Sequence, residues 1–261
     1  MIDFHTHILP YTDDGSKSIE DTIELFKEAV SAGFNKIILT SHYMEGYFTS
    51  NVEEREMKIS QLSNVIKELN LDLKLYLGNE IYITPNIVDL IIDRKACTIN
   101  NSKYFLFELP FESIPLDLHD IILKIQKKGL IPILAHPERY TPMYANTEIL
   151  SELHEQGVLM QSNIGSFAGQ YGERAKIMAN KLLECNMISF LGTDVHRKKS
   201  IYLEVPNILN NLIKKFGIEK INKLTEINPN LVLENKDIEY EEADTIKWKF
   251  SEKRIMKKKA L

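Results

Sequence analysis

The chain has 261 residues, 44% apolar and 26% charged, which fits a packed globule and excludes a disulfide-stapled mini-protein. Its two cysteines, Cys97 and Cys185, lie far apart, form no zinc ribbon, and neither opens a C-x5-R phosphate loop, so cysteine-based phosphatase chemistry is excluded. The net charge of −5 is uneven: residues 247–259 carry seven Lys/Arg and one Glu, leaving −11 on the rest, which speaks against nucleic acid as a partner of the body.

Residues 1–7 lack the basic and apolar regions of a secretory signal. The longest apolar runs, such as 131–135, fall far short of the roughly 18 residues a membrane span needs, so a cytoplasmic location is expected. Residues 2–7 read as a first strand. Ser18, with Asp21 three residues on, then resembles a capping box, and Ile19, Ile23, Phe26 and Val30 form one helical stripe ended by Gly33. Residues 36–42 are a second strand, followed by a charged helix over about 52–69. Residues 73–81 are a third strand, and Thr84-Pro85 opens a helix through Ile87, Leu90 and Ile91. Strands four to seven fall at 103–109, 131–136, 158–163 and 188–193, with helices at 118–128, 147–156 and about 173–184. Near-continuous apolar strands alternating with helices predict a parallel α/β fold, either a closed barrel or an open sheet. No Gly-rich dinucleotide loop follows the first strand and no linker interrupts the pattern, so one domain is expected.

Polar residues that bind metals recur at the strand ends: His5 and His7 at the first, His42 at the second, Glu80 at the third, Glu108 at the fourth, His136 at the fifth, Asp194 and His196 after the seventh. In a parallel α/β fold all of these ends meet at one rim. Residues two apart on a strand share a face, so His5 and His7 reach one ion, and Asp194 and His196 repeat that spacing. Imidazole and carboxylate donors suit Zn, Mn or Fe, and eight of them imply two or three ions. His119 and His154 fall on helices and read as surface residues. Arg139, three residues after His136, offers a planar guanidinium to phosphate oxygens, or pairs with a neighbouring carboxylate. Asp13-Asp14-Gly15 reads as a turn, with Asp14 alternatively a metal ligand. The stretch 161–166 lies on the same rim, and Asn163 and Ser166 are its candidates for substrate contact.

This ordered set resembles the PHP (polymerase and histidinol phosphatase) family over roughly residues 1–235. Asp13-Asp14-Gly15, His136-Pro137-Glu138-Arg139-Tyr140 and Gly192-Thr193-Asp194-Val195-His196 resemble its manganese-dependent tyrosine-protein phosphatases of bacterial capsular and exopolysaccharide operons. The resemblance implies a single-domain, distorted (β/α)7 TIM-like barrel with a three-ion site. His5, His7, Glu80 and Asp194 would hold the first ion. Glu80 would bridge to a second completed by Glu108 and His136, and Asp14, His42 and His196 would hold a third. It further implies Mn2+, with Fe or Zn as alternatives, and Arg139 as the residue that binds the phosphate and stabilises its charge. Asp14, where many members carry a histidine, favours the tyrosine-phosphatase branch. The expected chemistry is in-line attack on phosphorus by a hydroxide shared between ions. The expected substrate is a phosphotyrosine protein, a membrane-associated bacterial tyrosine kinase; a small metabolite such as histidinol phosphate is the alternative. Residues 236–261, acidic and then basic, read as a tail, either frayed or in contact with an anionic membrane or acidic partner through Trp248 and the lysines up to Lys259.

Overall fold

Strands occur at all seven expected places, in nine segments, in a computed structural model that describes residues 1–256. They are β1 (Ile2–Thr6), β2 (Lys36–Leu39), β3 (His42–Tyr43), β4 (Lys74–Leu77), β5 (Glu80–Tyr82), β6 (Tyr104–Glu108), β7 (Ile131–Ala135), β8 (Leu159–Asn163) and β9 (Phe190–Gly192). All ladders are parallel, one sheet running β1-β2-β4 and the other β3-β5-β6-β7-β8-β9. At the outer edges β9 runs back to β1: Asp194 N donates to His5 O at 2.8 Å and His7 N to Val195 O at 3.0 Å. The result is one α/β domain built on a curled parallel sheet.

The second and third expected strands are each broken, and side chains fill the gaps in their ladders. Thr6 N donates to Thr40 Oγ1 at 2.9 Å, taking a hydroxyl where a ladder carbonyl would stand. Asn79 Nδ2 donates to Ser41 O at 2.7 Å and its Oδ1 accepts from Cys97 N at 3.0 Å. Each break separates a longer strand segment, β2 or β4, from a short segment that carries a candidate ligand, and β3 pairs with β5 so that His42 lies opposite Glu80.

Helices cover the convex face: α1 (Ile19–Ser31), α2 (Val52–Glu68), α3 (Ile87–Ile92), α4 (Leu118–Gln126), α5 (Thr141–Ala145), α6 (Glu148–Glu155), α7 (Ile164–Ala168) and α8 (Glu173–Glu184). Ser18 caps α1 by accepting from Asp21 N at 3.0 Å, as the spacing predicts. The helix expected from Thr84-Pro85 begins later, at Ile87, whose N–H donates to Thr84 O in a turn that precedes α3. Alternate strand residues enter two separate cores. Ile37, Leu39, Phe105, Phe107 and Leu134 face the helices, whereas Ile38, Tyr104, Leu106, Ile133 and Ala135 pack with Phe4 and Phe190 inside the curl. Ile2 and Phe4 enter the inner core by simple alternation, Phe4 stacking on Phe190, and the β1–β2 register shifts between Asp3 and Thr6, just before the strand reaches His7 at the rim.

Beyond the last strand, α9 (Val205–Phe216), α10 (Ile218–Asn222) and α11 (Asn228–Leu233) follow, and α12 (Phe250–Met256) ends the described chain. The tail is docked, not frayed, over the residues described. Asp244 N donates to Cys185 O at 3.0 Å, Lys181 of α8 pairs with Glu252 at 3.4 Å, and Met256 is buried. Trp248 packs against the main core, where indole burial has an apolar partner, so it does not project as a free anchor. His154 is likewise a correction to the surface reading: the returning chain covers it, with Tyr240 Oη 3.1 Å from its Nδ1, whereas His119 is exposed as expected. Lys257-Lys258-Lys259 lies outside the described residues. No helix among the described residues is long and apolar enough to cross a membrane.

Candidate active site

The strand-end histidines and carboxylates converge on the rim. Glu80 stands at the centre: its Oε2 lies 3.2 Å from His5 Nε2, 3.3 Å from His7 Nε2 and 3.1 Å from His42 Nδ1, and its Oε1 lies 2.8 Å from His136 Nε2. Glu108 Oε1 is 3.1 Å from His42 Nδ1. On the other side Asp194 Oδ1 is 3.4 Å from His7 Nε2, and His196 Nε2 is 3.3 Å from Asp14 Oδ1. His136 and Asp194 both have left-handed backbone, φ +34° and +55°, just past their strands. Non-glycine residues rarely adopt it, and here it re-aims side chains at the rim after the strand has ended.

Ligand atoms within 4.8 Å of one another form three overlapping groups: His5, His7 and Glu80; His42, Glu80 and Glu108; and His7, Asp14, His42 and His196. Seven of the nine expected metal residues fall in these groups, and His136 and Asp194 adjoin them, 2.8 Å from Glu80 and 3.4 Å from His7, with three differences in grouping. His42, not His136, accompanies Glu80 and Glu108, His7 joins the Asp14 group, and Asp194 stands beside the His5, His7 and Glu80 group instead of within it. Burial opposes charge on His5, His7, Glu80 and Asp194, yet opposite charges prevail. Glu80 and Asp194 raise the pKa of His5, Asp13 raises that of His7, and the histidines hold Glu80 and Asp194 well below the usual carboxylate range.

The neighbours of the cluster set the histidine tautomers. Asp194, an acceptor only, takes a hydrogen bond from Asn163 Nδ2 at 2.7 Å, so Asn163 turns its Oδ1 to Gln161 Nε2 at 3.0 Å. Gln161 therefore presents Oε1 to His5, whose Nδ1 donates at 2.8 Å. On His7, Nδ1 donates to Asp13 Oδ2 at 2.8 Å. In the neutral rings both Nε2 atoms then carry lone pairs, and these atoms face each other across 3.0 Å. Two lone pairs and the carboxylate of Glu80, with that of Asp194 3.7 and 3.4 Å from the two Nε2 atoms, are a donor set that fits a divalent ion.

Arg139 Nη1 donates to Asp194 Oδ2 at 2.7 Å, so the carboxylate pair foreseen as its alternative is present, and that pair fixes the guanidinium beside the cluster. Asn163 is buried and contacts Asp194. Ser166 is not brought to the cluster: it is buried, and its hydroxyl donates to Glu138 Oε1 at 2.7 Å, so the substrate contact expected of it gives way to support of Glu138. Three supporting residues escaped the sequence reading. Asp13 reads as a turn residue, yet its Oδ2 accepts from both His7 Nδ1 and His42 N. Gln161 was legible only as part of the 161–166 stretch. Arg55 sits on the charged helix α2, which suggests a surface position, but it is buried and donates to Ser50 O, Ser41 O and His42 O at 3.0, 3.1 and 2.8 Å. Arg197 Nη1 clamps the Asp14 loop from outside, donating to Asp14 O and Gly15 O at 2.6 and 3.0 Å.

A family model described as "Capsular polysaccharide synthesis, CpsB/CapC" matches residues 1–234. The tyrosine-protein phosphatase YwqE of Bacillus subtilis (strain 168) is 34% identical over 238 residues, which cover 91% of this chain and 93% of YwqE. The tyrosine-protein phosphatase CpsB of Streptococcus pneumoniae is 29% identical over 238 residues, covering 89% of this chain and 98% of CpsB. A solved structure from work on YwqE and CpsB, described there as unique metal-dependent tyrosine phosphatases, is similar at a TM-score of 0.90 and 33% identity, covering 95% of this chain and 100% of that one. Histidinol phosphate phosphatase from Lactococcus lactis, complexed with zinc, L-histidinol and phosphate, shares the fold at a TM-score of 0.54 and 18% identity, covering 82% of this chain and 92% of that one.

Proposed function

The chain belongs to the CpsB/CapC family of capsular polysaccharide synthesis, and from that premise we propose that it is a metal-dependent protein-tyrosine phosphatase. The observation that carries this reading is the set of three overlapping histidine–carboxylate groups with the Arg139 guanidinium 2.7 Å from Asp194, a carboxylate that adjoins them 3.4 Å from His7. We read the two sheets and the β9–β1 hydrogen bonds as one distorted (β/α)7 barrel, with residues 1–235 as the catalytic unit, since no metal-ligand candidate among the described residues lies beyond His196.

His5, His7, Asp14, His42, Glu80, Glu108, His136, Asp194 and His196 would hold the ions. Mn2+ is the proposed metal, and Fe or Zn would suit the same donors. When bound, the ions supply Lewis-acid stabilisation of the phosphoryl group and activation of water. Arg139 makes a single hydrogen bond among the described residues, through Nη1, so its remaining N–H groups are open to phosphoryl oxygens and stabilise charge as it develops there. Asn163 and Arg139 together fix Asp194 Oδ2, and Asp13 and Gln161 fix the two imidazoles of the first strand. A phenol, with pKa of about 10, leaves as its anion with little help from a general acid.

The substrate proposed is a phosphotyrosine protein, and a membrane-associated tyrosine kinase of the capsule machinery, met from the cytoplasm, is the partner we favour. The basic tail would contribute peripheral membrane contact through its charges, since Trp248 is engaged by the body. The test is hydrolysis of a phosphotyrosine peptide by metal-loaded and by chelated protein. Activity lost on chelation and restored by Mn2+ is expected; full activity in metal-free protein, or none after reloading, would overturn the reading.

A further inference from the structure

We propose that Phe111, Tyr144 and Tyr171 form an aryl-binding wall that selects aromatic over aliphatic phosphate esters, an inference that deepens the phosphatase reading and rests on it. These rings, with Glu112 and Arg139, line an open hollow of about 270 Å³. It adjoins the cluster directly. Phe111 stacks on His136 with ring centroids 5.7 Å apart at 18°, and Tyr171 Oη lies 3.5 Å from Asp194 Oδ2. The guanidinium carbon of Arg139 is 4.8 Å from the Phe111 centroid and 4.3 Å from that of Tyr171, so the group expected to take the phosphate is held against the same aromatic surfaces.

The hollow presents aromatic faces beside Glu112 and Arg139, because its tyrosines point their hydroxyls elsewhere. Tyr144 Oη donates to Glu138 O at 2.8 Å, Tyr171 Oη is turned to Asp194, and Phe111 has no polar atom to satisfy. Phe111 is nevertheless 38% exposed, an apolar ring left in water at the mouth of a charged site. A phosphoryl group between the cluster and Arg139 would direct its ester substituent into this hollow. A dry cavity of about 150 Å³ accepts benzene, so this volume takes a phenyl ring with its linking carbon. A flat ring gains stacking and cation–π contact there, whereas a serine-sized alkyl group leaves the wall uncovered.

The test is calorimetric titration of manganese-loaded, full-length protein with phenylphosphonate and methylphosphonate, which share the phosphoryl head and differ in the aryl group. The wild type is expected to bind the phenyl compound at least about tenfold tighter, the scale of one or two aromatic contacts. Phe111→Leu, which keeps apolar bulk, and Phe111→Ala should each bring that ratio down toward unity. A wild type that does not discriminate, or variants that weaken both compounds equally, would show that Phe111 only props Arg139 and would overturn the proposal. Selective phenyl binding in a protein that hydrolyses no phosphotyrosine peptide would uphold the wall and reject the phosphatase reading.

Discussion

Gln161 Oε1 accepts from His5 Nδ1 at 2.8 Å, and this one contact turns the Nε2 lone pair of His5 toward Glu80 and His7. The amide is itself oriented through Asn163 from Asp194, a carboxylate on the opposite side of the same cluster. Two candidate ligands are thus coupled through two neutral side chains, and the orientation costs no extra charge in a buried setting.

Replacing Gln161 with leucine keeps much of its volume and removes the acceptor. Gln161→Leu is expected to lower manganese affinity about 10- to 100-fold, the usual effect of losing a ligand's outer partner. Asn163 Oδ1 then also loses its donor. Equilibrium metal competition reads the affinity directly, and an unchanged dissociation constant would refute the coupling.

Gly192 ends β9 where that strand meets β1. A Cβ there would stand 2.7 Å from His5 Cβ and 2.8 Å from His5 N, distances that force one strand off the other. Gly192→Ala should destabilise the fold by about 1–3 kcal/mol, as overpacking does. It should also weaken metal binding by displacing His5. Urea unfolding at matched metal concentration checks the first effect, and a variant as stable as the wild type would show that the seam yields freely.

Asp3 lies under the cluster, where burial pushes its pKa up to about 6 despite hydrogen bonds from Thr193 and Tyr202. Its folded pKa exceeds the unfolded value of 3.8, so the folded state holds the proton more tightly. The stabilisation is complete below about pH 4 and is lost as pH rises to about 6, a change of about 3 kcal/mol. Asp3→Asn removes this term. Glu80 and Asp194, whose pKa values are lowered, act in the opposite sense but in both proteins. In chelator, the wild type should therefore lose about 3 kcal/mol relative to Asp3→Asn between pH 4 and 7. Parallel stability curves would contradict the burial effect.

The placement of most cluster members was legible in the residue order because it follows from local periodicity. A parallel strand delivers its C-terminal residue to one rim whatever its neighbours are, so His42, Glu80, Glu108 and His136 could be placed by counting along their own segments. The breaks after Leu39 and Leu77 were not legible, since they depend on Thr40 and Asn79 side chains replacing ladder partners from other segments. Arg55 gave no sign of burial either, because its three acceptors are main-chain carbonyls, which every residue carries.

The sequence by itself determined the alternation of strands and helices, the single domain and the identity of the residues at the rim. Only the tertiary structure decided which of them share a point in space: that His42 sits with Glu80 and Glu108, that Ser166 serves Glu138, and that the chain after residue 236 folds back over His154. The physical reason is range. Periodicity and capping act within a few residues, whereas a ligand set is fixed by register shifts, left-handed turns and side-chain hydrogen bonds between segments far apart in the chain, such as Asp194 and His5.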